Sequence, residues 1–209
     1  MSVCYFLATL SSLADHKDLI GTLFETKEYN KSEVYLVKFY INGYLTPVVV
    51  NERVPARTLK DGSEATAFAG RPDGQLWVSI LEKAWAKLHG TYARAEIGFV
   101  PDAFSHLTGV PCKQYNHVSI RDRNEWWETL KKYSGMNYIM MSSSKEANTA
   151  NGISPAHAYT LLSYVELASN KKVVKLLKLR NPWGHGIWTG DWSNKSPLWT
   201  DALRKMHNV

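Results

Sequence analysis

Near Thr108-Gly109-Val110-Pro111 the hydrophobic pattern of this chain changes character, and that change narrows the folds open to it. Upstream the recurrence is helical. Phe6, Leu7, Leu10 and Leu13 repeat at intervals of three and four, which predicts a helix over residues 4–14 with one buried stripe. Residues 76–88 repeat in the same way and stop before Gly90, predicting a helix buried over much of its circumference, with its tryptophans in the core. Between the two helices, residues 34–40 and 44–50 flank Asn42-Gly43, the signature of a tight hairpin. Downstream of the change, a short helix over about residues 124–133 precedes three segments, 138–141, 158–167 and 173–179, rich in apolar and β-branched residues. Ser142-Ser143-Ser144 and Ser169-Asn170 separate them. The expectation is an α+β chain of two lobes. Residues 1–108 form a helical lobe with a small antiparallel sheet, and residues 109–209 form a mainly antiparallel β lobe.

Three residue types in this frame point to one chemistry. A thiol is a poor nucleophile until ionised, so it needs an imidazole in contact, and an amide or carboxylate must fix which imidazole nitrogen faces the sulfur. Cys4, His157 in Ala156-His157-Ala158-Tyr159, and Asn181 in Asn181-Pro182-Trp183-Gly184 supply those roles in that order. Cys4 stands at the start of the first expected helix, where unpaired backbone N–H groups and the helix dipole favour an anion. The bland alternative is a small buried core cysteine.

Bulk properties exclude several classes. With 209 residues, 44% hydrophobic and 12% aromatic, the chain can bury a substantial core. A net charge of +6 and a pI near 9.2 invite a nucleic-acid reading. The basic residues are dispersed, however, with Lys171-Lys172 the tightest cluster, so no nucleic-acid partner is expected. No apolar run approaches the ~18–20 residues that span a bilayer, and no secretory leader precedes Cys4, so a soluble cytoplasmic protein without membrane insertion is expected. Cys4 and Cys112 lie far apart with no CxxC spacing, which argues against a disulfide framework or a structural zinc site.

Ordered segments along nearly the whole chain resemble the protease core of the calpains, papain-like cysteine proteases with two lobes and the active site between them. They are Cys4-Tyr5-Phe6-Leu7-Ala8, the run from Leu81 to Leu88, Leu107-Thr108-Gly109, and Leu179-Arg180-Asn181-Pro182-Trp183-Gly184 followed by Trp188-Thr189-Gly190-Asp191-Trp192-Ser193. The resemblance implies an intracellular cysteine endopeptidase in which Cys4 is the nucleophile, His157 the general base and acid, and Asn181 the orienter. It implies that Trp183 flanks the catalytic pair and that Gly98 pairs its backbone with substrate. Ala156 stands where the family usually has a second such glycine, and its methyl group is expected to narrow the cleft slightly. Protein substrates are the implied partners, together with further domains of a longer parent protein. The remaining histidines match no catalytic position.

The resemblance also has departures. Calpains place an oxyanion-hole glutamine upstream of the nucleophile, at a position before Met1 here, and their second lobe continues past a region resembling Ser196-Pro197-Leu198-Trp199, so a core truncated at both ends is expected. Losing one oxyanion donor typically costs about 10²–10³ in rate. The family core binds calcium in each lobe through carboxylates and backbone oxygens, as a hard cation requires. The matching positions here are Gln75, Ile187 and Asn194, so no cofactor is required by the residues present and weak or absent calcium binding is expected.

Two other readings remain open at this stage. One is a catalytically weak or inactive calpain-like module that binds protein partners. The other is transglutaminase-like acyl transfer, which shares the thiol and imidazole but usually orients its histidine with aspartate, against Asn181.

Overall fold

The computed structural model describes residues 3–16, 18–70, 75–145, 151–169 and 172–208. Asn170 and Lys171, which figured in the expected loop and basic cluster, lie outside the described residues, as do Met1 and Ser2. The chain divides into two compact units, Met1–Gln114 and Tyr115–Val209. Helices and small antiparallel sheets make it a mixed α+β protein.

In the first unit, α1 (Cys4–Ala14) buries Tyr5, Phe6, Ala8, Leu10 and Leu13. Thr9 and Ser12 are buried too, where Thr9 Oγ1 donates to Tyr5 O at 2.8 Å and Ser12 Oγ to Ala8 O at 2.9 Å. Each hydroxyl thus finds a partner inside the helix, which lets α1 be buried beyond its apolar stripe. A short helix α2 (Leu19–Thr22) follows, and then β1 (Val34–Ile41) pairs antiparallel with β2 (Tyr44–Asn51). Ile41 faces Tyr44 across a two-residue loop in which Asn42 and Gly43 have φ of 51° and 82°, the mirror-image turn that matches strand twist. The three-residue strands β3 (Ala56–Thr58) and β4 (Glu64–Thr66) form a second small sheet.

The centre of this unit is Trp85 on α3 (Trp77–Leu88), only 1% exposed. Phe6 stacks on it at 4.7 Å between ring centroids, and Tyr5, Phe39, His89 and His106 surround it at 4.4–6.3 Å. Its indole N–H donates to Tyr5 Oη at 3.0 Å, and Tyr5 Oη donates to Ala95 O at 2.8 Å. The largest apolar ring therefore brings no unpaired polar atom into the core. Two of the histidines that match no catalytic position, His89 and His106, are packing residues against this ring. Helix α4 (Val100–Thr108) packs against α1 and β1, and it ends where Gly109 adopts φ 73°.

In the second unit, β5 (Met140–Ser143), β6 (Ala158–Ser169) and β7 (Lys172–Arg180) form an antiparallel sheet in the order β5-β6-β7. Among the described residues two α-helices accompany it. Asp122 caps α5 (Arg123–Gly135) by accepting from Asn124 N and Glu125 N, and Trp127 and Leu130 of that helix meet Leu161 of β6. Thr200 caps α6 (Asp201–His207), whose Leu203 packs on the cluster of Val165, Leu167 and Trp199. None of the helices among the described residues is long and apolar enough to cross a membrane.

Candidate active site

The β6–β7 pairing sets the start of one strand beside the end of the other, since Thr160 faces Arg180. His157 immediately precedes β6 and Asn181 immediately follows β7, so sheet register alone carries the two side chains into contact. His157 is 1% exposed, and its Nε2 lies 2.8 Å from Asn181 Oδ1. The amide's orientation follows from its other bonds: Nδ2 donates to His185 O at 2.6 Å and to Gly186 O at 3.0 Å, leaving the oxygen to face the imidazole. That oxygen also accepts from Trp183 N at 2.9 Å. An oxygen acceptor requires a proton on Nε2. In the neutral ring the lone pair then sits on Nδ1, a buried atom with no hydrogen-bond partner among the described residues.

Burial holds the His157 imidazole below the ordinary histidine pKa, the Asn181 bond opposes that shift, and nearby His185 adds to it. Burial thus favours the neutral ring, in which Nδ1 carries the free lone pair. Trp183 lies over it, with ring centroids 3.9 Å apart. At 37% exposed, the indole covers the His157–Asn181 pair on one side while presenting its own surface outward. Tyr159, two residues along the strand and so on the same face as His157, meets the imidazole edge-on at 4.7 Å.

Cys4 and Gly98 belong to the first unit. Cys4 is the first residue of α1, a half-buried free thiol. Among the described residues no side chain caps that helix end, and no acidic residue stands in its first turn. The placement leaves the helix dipole uncompensated beside the sulfur. Gly98 has a packing reason to be glycine that is independent of any substrate, since a Cβ there would come within 2.5–2.8 Å of the Tyr5 ring. Its neighbours Ile97 and Phe99 are 87% and 70% exposed, an apolar surface on either side of its backbone. In the second unit, Ala156 is exposed and holds φ 47°, a left-handed conformation that suits the glycine the resemblance implied; its N–H donates to Lys145 O at 2.8 Å.

At the positions that the resemblance matches to calcium ligands, Gln75 Oε1 accepts from Trp77 Nε1 at 3.0 Å, the Asn194 carbonyl accepts from Arg204 Nη1 at 2.7 Å, and the Ile187 side chain is hydrocarbon. Among the described residues no group of three or more His, Cys, Asp or Glu side chains could hold a metal.

Sequence reasoning missed three residues that surround His157: Ser144, Ser154 and Tyr159. The expected loop Ser142-Ser143-Ser144 is instead strand: Ser142 and Ser143 belong to β5, and Ser144 extends its ladder, donating its backbone N–H to His157 O at 2.9 Å. The available signal was the two-residue spacing of His157 and Tyr159, which puts both side chains on one face of a strand.

Comparison with known proteins identifies a family. Residues 1–208 match a family described as calpain family cysteine protease. The chain is 32% identical to calpain-type cysteine protease DEK1 of Arabidopsis thaliana, over 96% of this chain and 9% of that protein. It is 30% identical to calpain-14 of Homo sapiens, over 94% of this chain and 29% of that protein. Calpain-2 catalytic subunit of Homo sapiens is 29% identical over the same shares. The chain thus spans less than a third of the length of these relatives.

Proposed function

This chain belongs to the calpain family of cysteine proteases and carries its papain-like protease core, and from that premise we propose that it hydrolyses peptide bonds of cytoplasmic proteins through Cys4, His157 and Asn181. The observation that supports this most is the polarity of the His157–Asn181 bond. With both donors of the amide engaged elsewhere, Nε2 keeps its proton and Nδ1 is the base.

In the proposed reaction, Cys4 is brought within hydrogen-bond reach of Nδ1, ~2.6–3.2 Å. The thiol proton passes to Nδ1 and the thiolate attacks the carbonyl carbon of an extended peptide. The C–N bond breaks as the His157 imidazolium returns its proton to the leaving amine, which leaves a thioester on Cys4. Water then gives a proton to Nδ1 and attacks the thioester, and the carboxylic acid leaves as the thiol is restored. Throughout, Asn181 holds the ring in one orientation and Trp183 keeps water off their bond. The exposed Ile97 and Phe99 offer apolar contact to a chain paired along Gly98. No calcium step enters this proposal, and calorimetric titration with calcium should show no micromolar site at Gln75, Ile187 and Asn194.

The test is alkylation of Cys4 by iodoacetamide across pH, on this chain and on a version extended upstream, with His157→Ala as control. Fast labelling near pH 6 that His157→Ala abolishes supports the enzyme. Labelling that follows an ordinary thiol, near pH 8.5, in both versions would replace it with a calpain fold that binds partners without cleaving them.

A further inference from the structure

We propose that Ser144 is a positioning residue for His157, acting through hydrogen bonds that also involve Ser154 and Tyr159. The proposal rests on the reading of His157 as the catalytic base and names what aims it.

Regular antiparallel pairing runs between β5 and β6 up to Ser143 opposite Ala158. One step further, Ser144 N still donates to His157 O at 2.9 Å, as a ladder would require. The reciprocal bond is different. His157 N donates to the Ser144 side-chain Oγ at 3.0 Å, while the next amide, Ala156 N, donates to Lys145 O. Ala156 takes φ 47° at this point, so the chain turns out of the strand immediately before His157. The serine hydroxyl therefore replaces a backbone acceptor at the residue where the ladder breaks.

A hydroxyl has one proton to give. The shorter of its two acceptor contacts is Ser154 O at 2.6 Å, against 3.2 Å to His157 O, which already receives Ser144 N. Donation to Ser154 O leaves the oxygen lone pairs for His157 N. Ser154 N in turn donates to Tyr159 Oη at 2.9 Å, and the Tyr159 ring lies edge-on to the imidazole. Both backbone groups of His157 are fixed by one residue, and the segment before it is fastened to a side chain two residues after it. This matters for the base because its Nε2 must reach an oxygen on a separate segment, at the end of β7. A small displacement of the His157 backbone lengthens that bond.

The readout is the His157 ring itself, by NMR of the whole chain with labelled histidine. The native protein should show a slowly exchanging Nε2 proton. In Ser144→Ala its exchange should quicken about tenfold, the scale of losing one buried hydrogen bond, and the titration midpoint of the ring should fall as the Asn181 bond weakens. Ser144→Thr keeps the oxygen and should restore both. Tyr159→Phe, which removes only the acceptor for Ser154 N, should show a smaller change in the same direction and serves if Ser144→Ala does not fold. An unchanged proton and midpoint in Ser144→Ala, or in Tyr159→Phe where that is the variant measured, overturns the proposal. Cys4 alkylation on the same samples separates the two readings: an ordinary thiol beside a ring whose proton is lost in Ser144→Ala retains the positioning role and removes the protease.

Discussion

The two units hold their candidate site residues by different means. The helix that carries Cys4 is set by aromatic packing, with Phe6 stacked on Trp85 and Tyr5, Phe39, His89 and His106 around the same ring. His157 is set by hydrogen bonds at its backbone N, its carbonyl and its ring. Packing is non-directional and fixes a helix as a body, whereas a hydrogen bond fixes the orientation of one group. A nucleophile at a helix end needs the first kind of support. A base whose two nitrogens must be told apart needs the second.

The comparison breaks first at Trp85. Trp85→Ala empties the centre of the first unit and should cost about 3–5 kcal/mol in urea unfolding; a loss below ~1 kcal/mol would mean that the ring cluster does not carry this unit.

Next is Glu82, buried on α3, whose carboxylate accepts from Ala69 N at 2.8 Å and whose pKa burial pushes up to about 7. The folded protein then binds this proton more tightly than the unfolded chain does. Its contribution to stability is fully present below pH 4.5 and is lost as pH rises through about 7. Glu82→Gln should flatten that slope, an effect on the order of 1–3 kcal/mol between pH 5 and 8. Parallel profiles for the two proteins would place the pH dependence elsewhere.

The hydrogen-bonded side is probed by Asn181→Ala, which should cost about 1–3 kcal/mol by stranding the partners of the amide. It should also lower the His157 titration midpoint further, because the Asn181 bond is what opposes the burial shift. Stability is then lost as pH falls through the histidine range, more steeply in the variant. A midpoint that rises instead would contradict the tautomer assigned to His157.

The smallest effect is expected at Ala156. Relieving φ 47° should gain up to ~1 kcal/mol, and the greater freedom of an unfolded glycine takes part of it back. Ala156→Gly should therefore shift the melting temperature upward only slightly, and a marked drop would show that the methyl group packs.

Much of the first unit was legible in the chain. The recurrence of Phe6, Leu10 and Leu13 anticipates α1, Asn42-Gly43 anticipates the β1–β2 turn, and the run before Gly90 anticipates α3. The strands β6 and β7 were legible from their β-branched and apolar content. Helix α2 and the strands β3 and β4 were not, because three or four residues do not establish a period. Nor was α6 anticipated: its burial comes from Leu203 meeting Trp199 and β6, which no local pattern reports.

The sequence by itself determined the chemical inventory of the proposed site, a thiol, an imidazole and an amide in a calpain-like order, together with the helices and strands whose periods are written in neighbouring residues. Only the tertiary structure decided that Asn181 presents its oxygen to Nε2, that Ser144 catches the His157 amide, and that Tyr5 demands a glycine at position 98. Periodicity is a relation between residues close in the chain. These decisions are relations between residues brought together by strand register and side-chain packing, and they exist only once the chain has folded.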